Sequence, residues 1–208
     1  MTLITKLGFK PQKKANLIAS GQIQASDISI VIPVRNNQKG IDLFLEEFFQ
    51  THNSLLYPQE IIIVDNNSQP EITIPQQYQV KPFPIRLLKC SKTGPAAARN
   101  VGIKHAKGDW ILFKDSDCIP SESFIQGYLQ AMNGSIGYAG NVKAWGEYIL
   151  SRYYESQEII MPFTVIAEEG IIRPEYLITA NALVWKKALS KIGGFNERIK
   201  MAAGEDID

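Results

Sequence analysis

Residues Ile61-Ile62-Ile63-Val64 form an unbroken β-branched apolar run, and such a run needs cover on both of its faces. A one-sided antiparallel strand would alternate apolar with polar residues. This segment does not, so it predicts a strand inside a parallel sheet with helices on either side. Ile28-Ser29-Ile30-Val31-Ile32-Pro33-Val34 repeats the theme and closes on a proline, as expected of a strand leaving its sheet. Between them Ile41, Phe44, Leu45 and Phe48 recur at helical spacing and predict an amphipathic helix reaching about His52.

The rhythm continues. A turn-rich stretch through Pro70, Pro75, Pro82 and Pro84 leads into a third strand, Ile85 to Cys90. Gly94-Pro95 opens a helix with proline at its first position, predicted to run from Ala96 to Lys107 with Gly108 as its stop. Trp110-Ile111-Leu112-Phe113 reads as a fourth strand, followed by a helix from Ser121 to Met132. Strand, helix, strand, strand, helix, strand is the order of an α/β fold with a mostly parallel sheet and crossover helices. Residues 1–26 read as a lead-in, and 27–208 as a single domain; the chain's 208 residues suffice for one substantial core.

A formal net charge of +1, with 21% charged and 45% hydrophobic residues, excludes an electrostatic nucleic-acid binder, which needs a marked basic excess. Lys10, Lys13 and Lys14 read as solvated lysines. Cys90 and Cys118 are the only cysteines, pointing to a reducing compartment rather than a disulfide framework. No stretch approaches the roughly 20 apolar residues of a membrane span. A cytoplasmic location is expected, with peripheral attachment to the inner face of a membrane left open.

In parallel α/β sheets ligands bind outside the carboxyl ends of the strands. Three strand exits carry polar groups: Val34-Arg35-Asn36, Asp65-Asn66-Asn67-Ser68 and Asp115-Ser116-Asp117. Such residues also cap turns and helices, but three at one expected edge favour a binding site. Asp115 and Asp117 can aim two carboxylates at one region, where like charges repel unless a cation intervenes. Mg²⁺ and Mn²⁺ take hard oxygen ligands, one or two carboxylates together with substrate phosphates and water.

Taken with Gly94-Pro95-Ala96-Ala97-Ala98-Arg99-Asn100-Val101-Gly102, Gly193-Gly194-Phe195 and Gly204-Glu205-Asp206, these segments resemble the inverting glycosyltransferases of family 2, which have the GT-A fold. The matching pieces run in the family's order from about Ile28 to the end of the chain. The resemblance implies that Pro33, Val34 and Arg35 line the base and ribose of a nucleotide-sugar donor. Asp65 would accept a hydrogen bond from the base, uracil in many members, so a UDP-sugar is the expected donor. Arg99 would border the nucleotide. Asp115 would meet the ribose or a metal-bound water, and Asp117 would ligate a divalent cation, Mn²⁺ or Mg²⁺, that bridges the diphosphate. Asn181 would lie near the donor sugar. Asp206 would be the base that activates an acceptor hydroxyl on a glycan, lipid-linked or protein acceptor, with Glu205 orienting that acceptor. The chain departs from the family's frequent Asp-Asp-Gly-Ser by carrying Asp65-Asn66-Asn67-Ser68, and it stops at Asp208, where members usually continue into a further helix.

Two other classes compete. A sugar nucleotidyltransferase shares the sheet but usually opens with a glycine-rich loop, whereas here no glycine follows the first strand until Gly40. A non-catalytic nucleotide-sugar binding module would keep the donor residues without a working base. A Rossmann dehydrogenase lacks its Gly-x-Gly-x-x-Gly. Among the remaining candidates, Trp110 and Trp185 read as core packing, the latter at the start of a helix, while Trp145 is open between core and sugar platform. His52 and His105 read as cations at helix ends, Gly193-Gly194 as a helix stop, and Glu168-Glu169 as a solvated loop edge.

Overall fold

The structure is a computed structural model that describes residues 23–51, 56–144, 146, 148–156, 164–166, 172–174 and 177–199. In chain order the elements are β1 (Ile28–Val34), α1 (Gln38–Thr51), β2 (Glu60–Asp65), β3 (Ile85–Lys89), α2 (Pro95–His105), β4 (Trp110–Lys114) and α3 (Phe124–Ala131). There follow β5 (Gly137–Ala139), α4 (Ile149–Ser156), β6 (Thr164–Ile166), β7 (Ile172–Pro174), β8 (Asn181–Trp185) and α5 (Lys186–Ile192). The main sheet has the order β3-β2-β1-β4-β8-β5, and β6 pairs with β7 in a separate antiparallel ribbon. β1 to β4 pair in parallel, while β8 inserts antiparallel between β4 and β5.

Strand alternation divides the core in two. Ile28, Ile30, Ile32, Ile61, Ile63 and Leu112 face one layer with Phe44, Leu45 and Phe48 of α1 and Phe124 of α3. Val31, Ile62, Val64, Ile111 and Phe113 face the other with Ala97, Ala98 and Ile103 of α2 and Leu189 of α5. Apolar side chains on both faces of one strand are what the unbroken run at Ile61–Val64 required, since either face left in water would forfeit its burial free energy.

Three local expectations are corrected. α2 ends at His105, because Ala106 already adopts extended backbone (φ −63°, ψ 137°). Gly108 instead donates its N–H to Ser29 Oγ (2.9 Å) where β4 begins. Trp185 is the last residue of β8 rather than the first of a helix, and α3 starts at Phe124, after Ser121. Trp110 is buried as expected. His105 caps nothing foreign: its Nδ1 lies 2.9 Å from the Val101 carbonyl of its own helix. Lys10, Lys13, Lys14, His52, Trp145, Glu168, Glu169, Glu205 and Asp206 lie outside the described residues.

Candidate active site

Register decides which residues share the carboxyl edge. Val34 stands opposite Asp65, and Asp65 opposite Lys89. β4 runs parallel to β1, so Asp115 and Asp117 leave at that same edge. Asn181, the first residue of the antiparallel β8, stands opposite Lys114 there.

The exits of β1, β2 and β3 are laced together by side-chain hydrogen bonds. Asp65 is 4% exposed; its Oδ1 accepts the N–H of Ser68 (2.9 Å) and its Oδ2 that of Ile72 (3.2 Å). Each oxygen keeps a second lone pair, so Asp65 builds the loop first and has acceptor capacity to spare. Ser68 Oγ accepts from the N–H of Asn36 (2.8 Å), and Asn36 Oδ1 from that of Gln69 (2.8 Å). Asn66 donates to the carbonyls of Cys90 (3.2 Å) and Lys92 (2.7 Å) and accepts the N–H of Gly94 (2.8 Å). That last bond fixes the entry to α2. Asn67 takes φ +60°, the left-handed conformation that asparagine tolerates better than most side chains. The turn therefore keeps its shape without a glycine. Beside it lies a cleft of about 700 Å³ lined by residues including Arg35, Asp65, Asn67, Gln69, Lys89 and Thr93.

The exit of β4 is clamped from both faces. On the α2 side, buried Arg99 donates from Nη2 to Asp115 Oδ1 (2.8 Å), and its guanidinium carbon sits 5.7 Å from the centre of the Phe195 ring. On the α1 side, Asn37 donates from Nδ2 to the carbonyl and the hydroxyl of Ser116, both at 3.2 Å. Asn37 Oδ1 meanwhile accepts the N–H of Gly40 (3.0 Å), capping the helix start. A Cβ on Gly40 would stand 2.0 Å from the Ser116 carbonyl oxygen, so only glycine lets α1 press this close to the turn.

Two further groups belong to this turn. Burial pushes the ammonium of Lys114 below the ordinary lysine value, against the pull of Cys118, Asp115 and Asp117. Burial also pushes the Cys118 thiol up to about 11, reinforced by the negative charge of Asp117 and Asp115 against the pull of Lys114. With no metal beside it, Cys118 is therefore a neutral thiol at physiological pH.

On the other flank, Tyr128 of α3 donates its hydroxyl to Asn181 Oδ1 (2.8 Å), while Asn181 Nδ2 donates to the Asn141 carbonyl (2.9 Å). Burial raises the tyrosine and keeps it a donor. Asn37, Lys114 and Tyr128 were not singled out in the sequence, and Asn66 only as part of the strand exit Asp65-Asn66-Asn67-Ser68. The available signals were slight: asparagines just after strands, and a lysine ending an otherwise apolar run.

The donor set suits a hard divalent ion. Asp115 is about one-third exposed and Asp117 is exposed, while no group of three or more His, Cys, Asp or Glu among the described residues could form an all-protein cage. That is the arrangement in which one or two carboxylates hold an ion whose remaining ligands come from phosphate and water.

A mixed sheet of this order, with a polar carboxyl edge beside a cleft and an Asp-x-Asp turn on its central strand, defines a GT-A type α/β domain. The sequence from residue 29 to residue 193 matches the family described as glycosyl transferase family 2, and the chain belongs to that family. It is similar to an uncharacterized glycosyltransferase of Rickettsia felis, 37% identical over 112 residues, covering 51% of this chain and 18% of that protein. Among solved structures it resembles S. aureus TarS 1-349 in complex with UDP-GlcNAc, with TM-score 0.60, 19% identity, and coverage of 86% of this chain and 51% of that one. It also resembles the mannosyltransferase PcManGT from Pyrobaculum calidifontis in complex with GDP-Man and Mn²⁺, with TM-score 0.57, 18% identity, and coverage of 91% and 52%. At these identities the likeness to solved structures shows the fold. The chain spans 18–29% of the length of the first curated relatives it matches and about half of each solved neighbour.

Proposed function

We propose that this domain transfers a sugar, with inversion, from a nucleoside-diphosphate sugar to an acceptor hydroxyl, using a divalent cation held by Asp117 with help from Asp115. The observation that carries the reading is one carboxyl edge that joins the Arg35–Asp65 cleft to the Arg99–Asp115 pair and the exposed Asp117. Pro33, Val34 and Arg35 would bind the base and ribose, with the spare lone pairs of Asp65 accepting from the base. The TarS and PcManGT complexes with UDP-GlcNAc and with GDP-Man and Mn²⁺ support a donor of this class. A bound Mn²⁺ or Mg²⁺ would act as a Lewis acid on the diphosphate leaving group.

The chain's own residues have separable tasks. Arg99 holds the Asp115 carboxylate in one orientation, and Asn37 holds the backbone of the turn that carries Asp117, so less has to be ordered when donor arrives. Asn181, fixed by Tyr128 and Asn141, would border the donor sugar. Asp206 would accept the acceptor's proton as attack proceeds, with Glu205 orienting the acceptor. Among the described residues no helix is long and apolar enough to cross a membrane. The free thiols Cys90 and Cys118 suit a reducing cytoplasm, and the reading places the reaction there or at the inner face of a membrane.

The test is a thermal-shift screen of UDP, GDP and their sugars, with and without Mn²⁺, followed by an assay of donor hydrolysis. Stabilisation by one diphosphate series in Mn²⁺, with slow hydrolysis of its sugar, is expected. No shift with any of them would overturn the reading. Binding without hydrolysis or transfer would leave a donor-binding module.

A further inference from the structure

Beneath the Asp115–Asp117 turn lies an ammonium group that makes no hydrogen bond among the described residues. Lys114 ends β4 on the face shared with Trp110 and Leu112, toward α3. It is 4% exposed. Its Nζ stands 5.1 Å from the centre of the Phe124 ring, and no acceptor among the described residues lies within hydrogen-bonding reach of its donors. A lysine carries three N–H donors; the stem of Lys114 is buried while its Nζ keeps contact with solvent, and holding an ammonium at so buried a place still carries a desolvation cost. The four residues before it, Trp110 to Phe113, are apolar and buried, so leucine or methionine would fit this place at no such cost. The position thus carries a charge that packing does not ask for.

What surrounds the charge indicates its use. Lys114 interacts electrostatically with Asp115 and Asp117, the two carboxylates read as facing the diphosphate. Arg99 already directs an N–H to Asp115, whereas Lys114 directs its donors to no oxygen of the described residues. Across the sheet Lys114 stands opposite Asn181, on the flank assigned to the donor sugar. An aromatic face holds an ammonium weakly enough for an oxyanion to draw it away, and the four-carbon stem gives it reach.

We propose that Lys114 is a donor-binding residue whose ammonium hydrogen-bonds the diphosphate beside the Asp115–Asp117 turn. This rests on the nucleotide-sugar reading above. With Arg99 and Lys114 offsetting Asp115 and Asp117, the charges at the β4 exit balance before any metal binds, so part of the diphosphate affinity survives chelation. Phe124 then serves as the resting place of the ammonium when no donor is bound.

The experiment is calorimetric titration with UDP, GDP, UMP and GMP, in Mn²⁺ and in excess chelator, for the parent chain and Lys114→Met. Methionine keeps the stem and removes the charge, and losing a buried charge should leave the thermal midpoint unchanged or higher. In chelator the parent should prefer diphosphate over monophosphate by about tenfold or more, the scale of a charge-assisted hydrogen bond. Lys114→Met should keep monophosphate affinity within about twofold and lose that preference. A fold defect would weaken both ligands together. The same preference in parent and variant would overturn the proposal while leaving the donor reading intact. So would a parent that binds diphosphate in Mn²⁺ and not at all in chelator. Failure of the parent to bind any nucleotide in Mn²⁺ would overturn both.

Discussion

The side-chain amide of Asn100 exchanges two hydrogen bonds with the backbone of Phe195. Nδ2 donates to the Phe195 carbonyl and Oδ1 accepts the Phe195 N–H, each at 2.9 Å. The amide thus treats the segment after α5 as a strand treats its neighbour. It leaves the Phe195 ring edge-on to Phe113 (84° between planes) and within 5.7 Å of the Arg99 guanidinium carbon. Glu197 completes the join, accepting from Asn100 Nδ2 (2.8 Å) and pairing with Lys92. The turn after α5 is therefore mechanically continuous with the helix that holds Asp115.

Gly194 makes that join sterically feasible. Its φ is +80°, and a Cβ there would stand 2.5 Å from Asn100 Oδ1. Gly194→Ala adds left-handed strain to a clash with a doubly bonded amide, so a loss of about 1–3 kcal/mol is expected. Urea unfolding should show a lower midpoint with an unchanged slope. A midpoint equal to the parent's would mean that the Asn100–Phe195 contact contributes nothing to stability.

At the opposite edge of the sheet, fully buried Glu60 gathers three donors. Oε1 accepts from Ser29 Oγ (3.0 Å) and the Lys107 N–H (2.6 Å), and Oε2 from Arg86 Nη1 (2.6 Å). Burial alone would raise its pKa, but hydrogen bonds from Arg86, Lys107 and Ser29, with the charge of Arg86, bring it below the ordinary 4.5. A depressed folded pKa means stability that is fully present above 4.5 and lost as pH falls through the lower folded value. Glu60→Gln should cost about 1–3 kcal/mol at neutral pH, and its deficit should shrink in acid. Parallel stability–pH curves for parent and variant would refute the assignment.

How much of this was legible follows from what each feature depends on. β1, β2 and β4 could be read because two-sided burial leaves an uninterrupted apolar trace, and chain direction alone then put Asp65, Asp115 and Asp117 at one edge. Strand β8 could not be oriented, since nothing in Asn181–Trp185 encodes which way it inserts beside β4. Strand β5 has only three residues, too short for a period. Trp185 reads as a helix start because, besides ending β8, it is the N-cap of α5. Asn37 and Tyr128 act across 79 and 53 residues, and such pairings exist only once the sheet has assembled. At Asn67, where the family frequently carries glycine, asparagine itself takes the left-handed conformation (φ +60°), which the sequence does not announce.

Asp117 is exposed, whereas Asp115 shares an oxygen with Arg99, so Asp117 is the better placed of the two to give a full charge to a metal. Arg99 and Lys114 offset the carboxylate pair only in part where Asp117 is exposed, so a cation there should strengthen diphosphate binding. UDP or GDP should bind the parent more weakly in excess chelator than in Mn²⁺, and Asp117→Asn should remove most of that difference. Manganese EPR of the parent and variant, titrated with diphosphate, would show whether the ion is held. An undiminished Mn²⁺ effect in Asp117→Asn would assign the ion elsewhere.

On the proposed reading, Asp206 is the residue that separates a catalytic domain from one that only binds. The sequence places Gly204-Glu205-Asp206 eleven residues after Gly193-Gly194-Phe195, and the latter segment is tied through Asn100 and Phe195 to the Arg99–Asp115 pair. We therefore expect Asp206 to be the general base, with Glu205 orienting the acceptor. An acidic pair also suits a helix start, where the dipole favours negative charge, and that role alone would make Asp206 dispensable for transfer. Asp206→Asn separates the two, because asparagine keeps the size and most of the capping ability but cannot take a proton. If Asp206 is the base, donor affinity should stay within a few-fold while turnover falls by roughly 10²–10⁴, the range for a lost acid–base group. The fall should appear in kcat, with the KM for donor nearly unchanged. Glu205→Gln should instead raise the KM for acceptor more than it lowers kcat. Equal transfer by Asp206→Asn and an active parent would remove Asp206 from the chemistry.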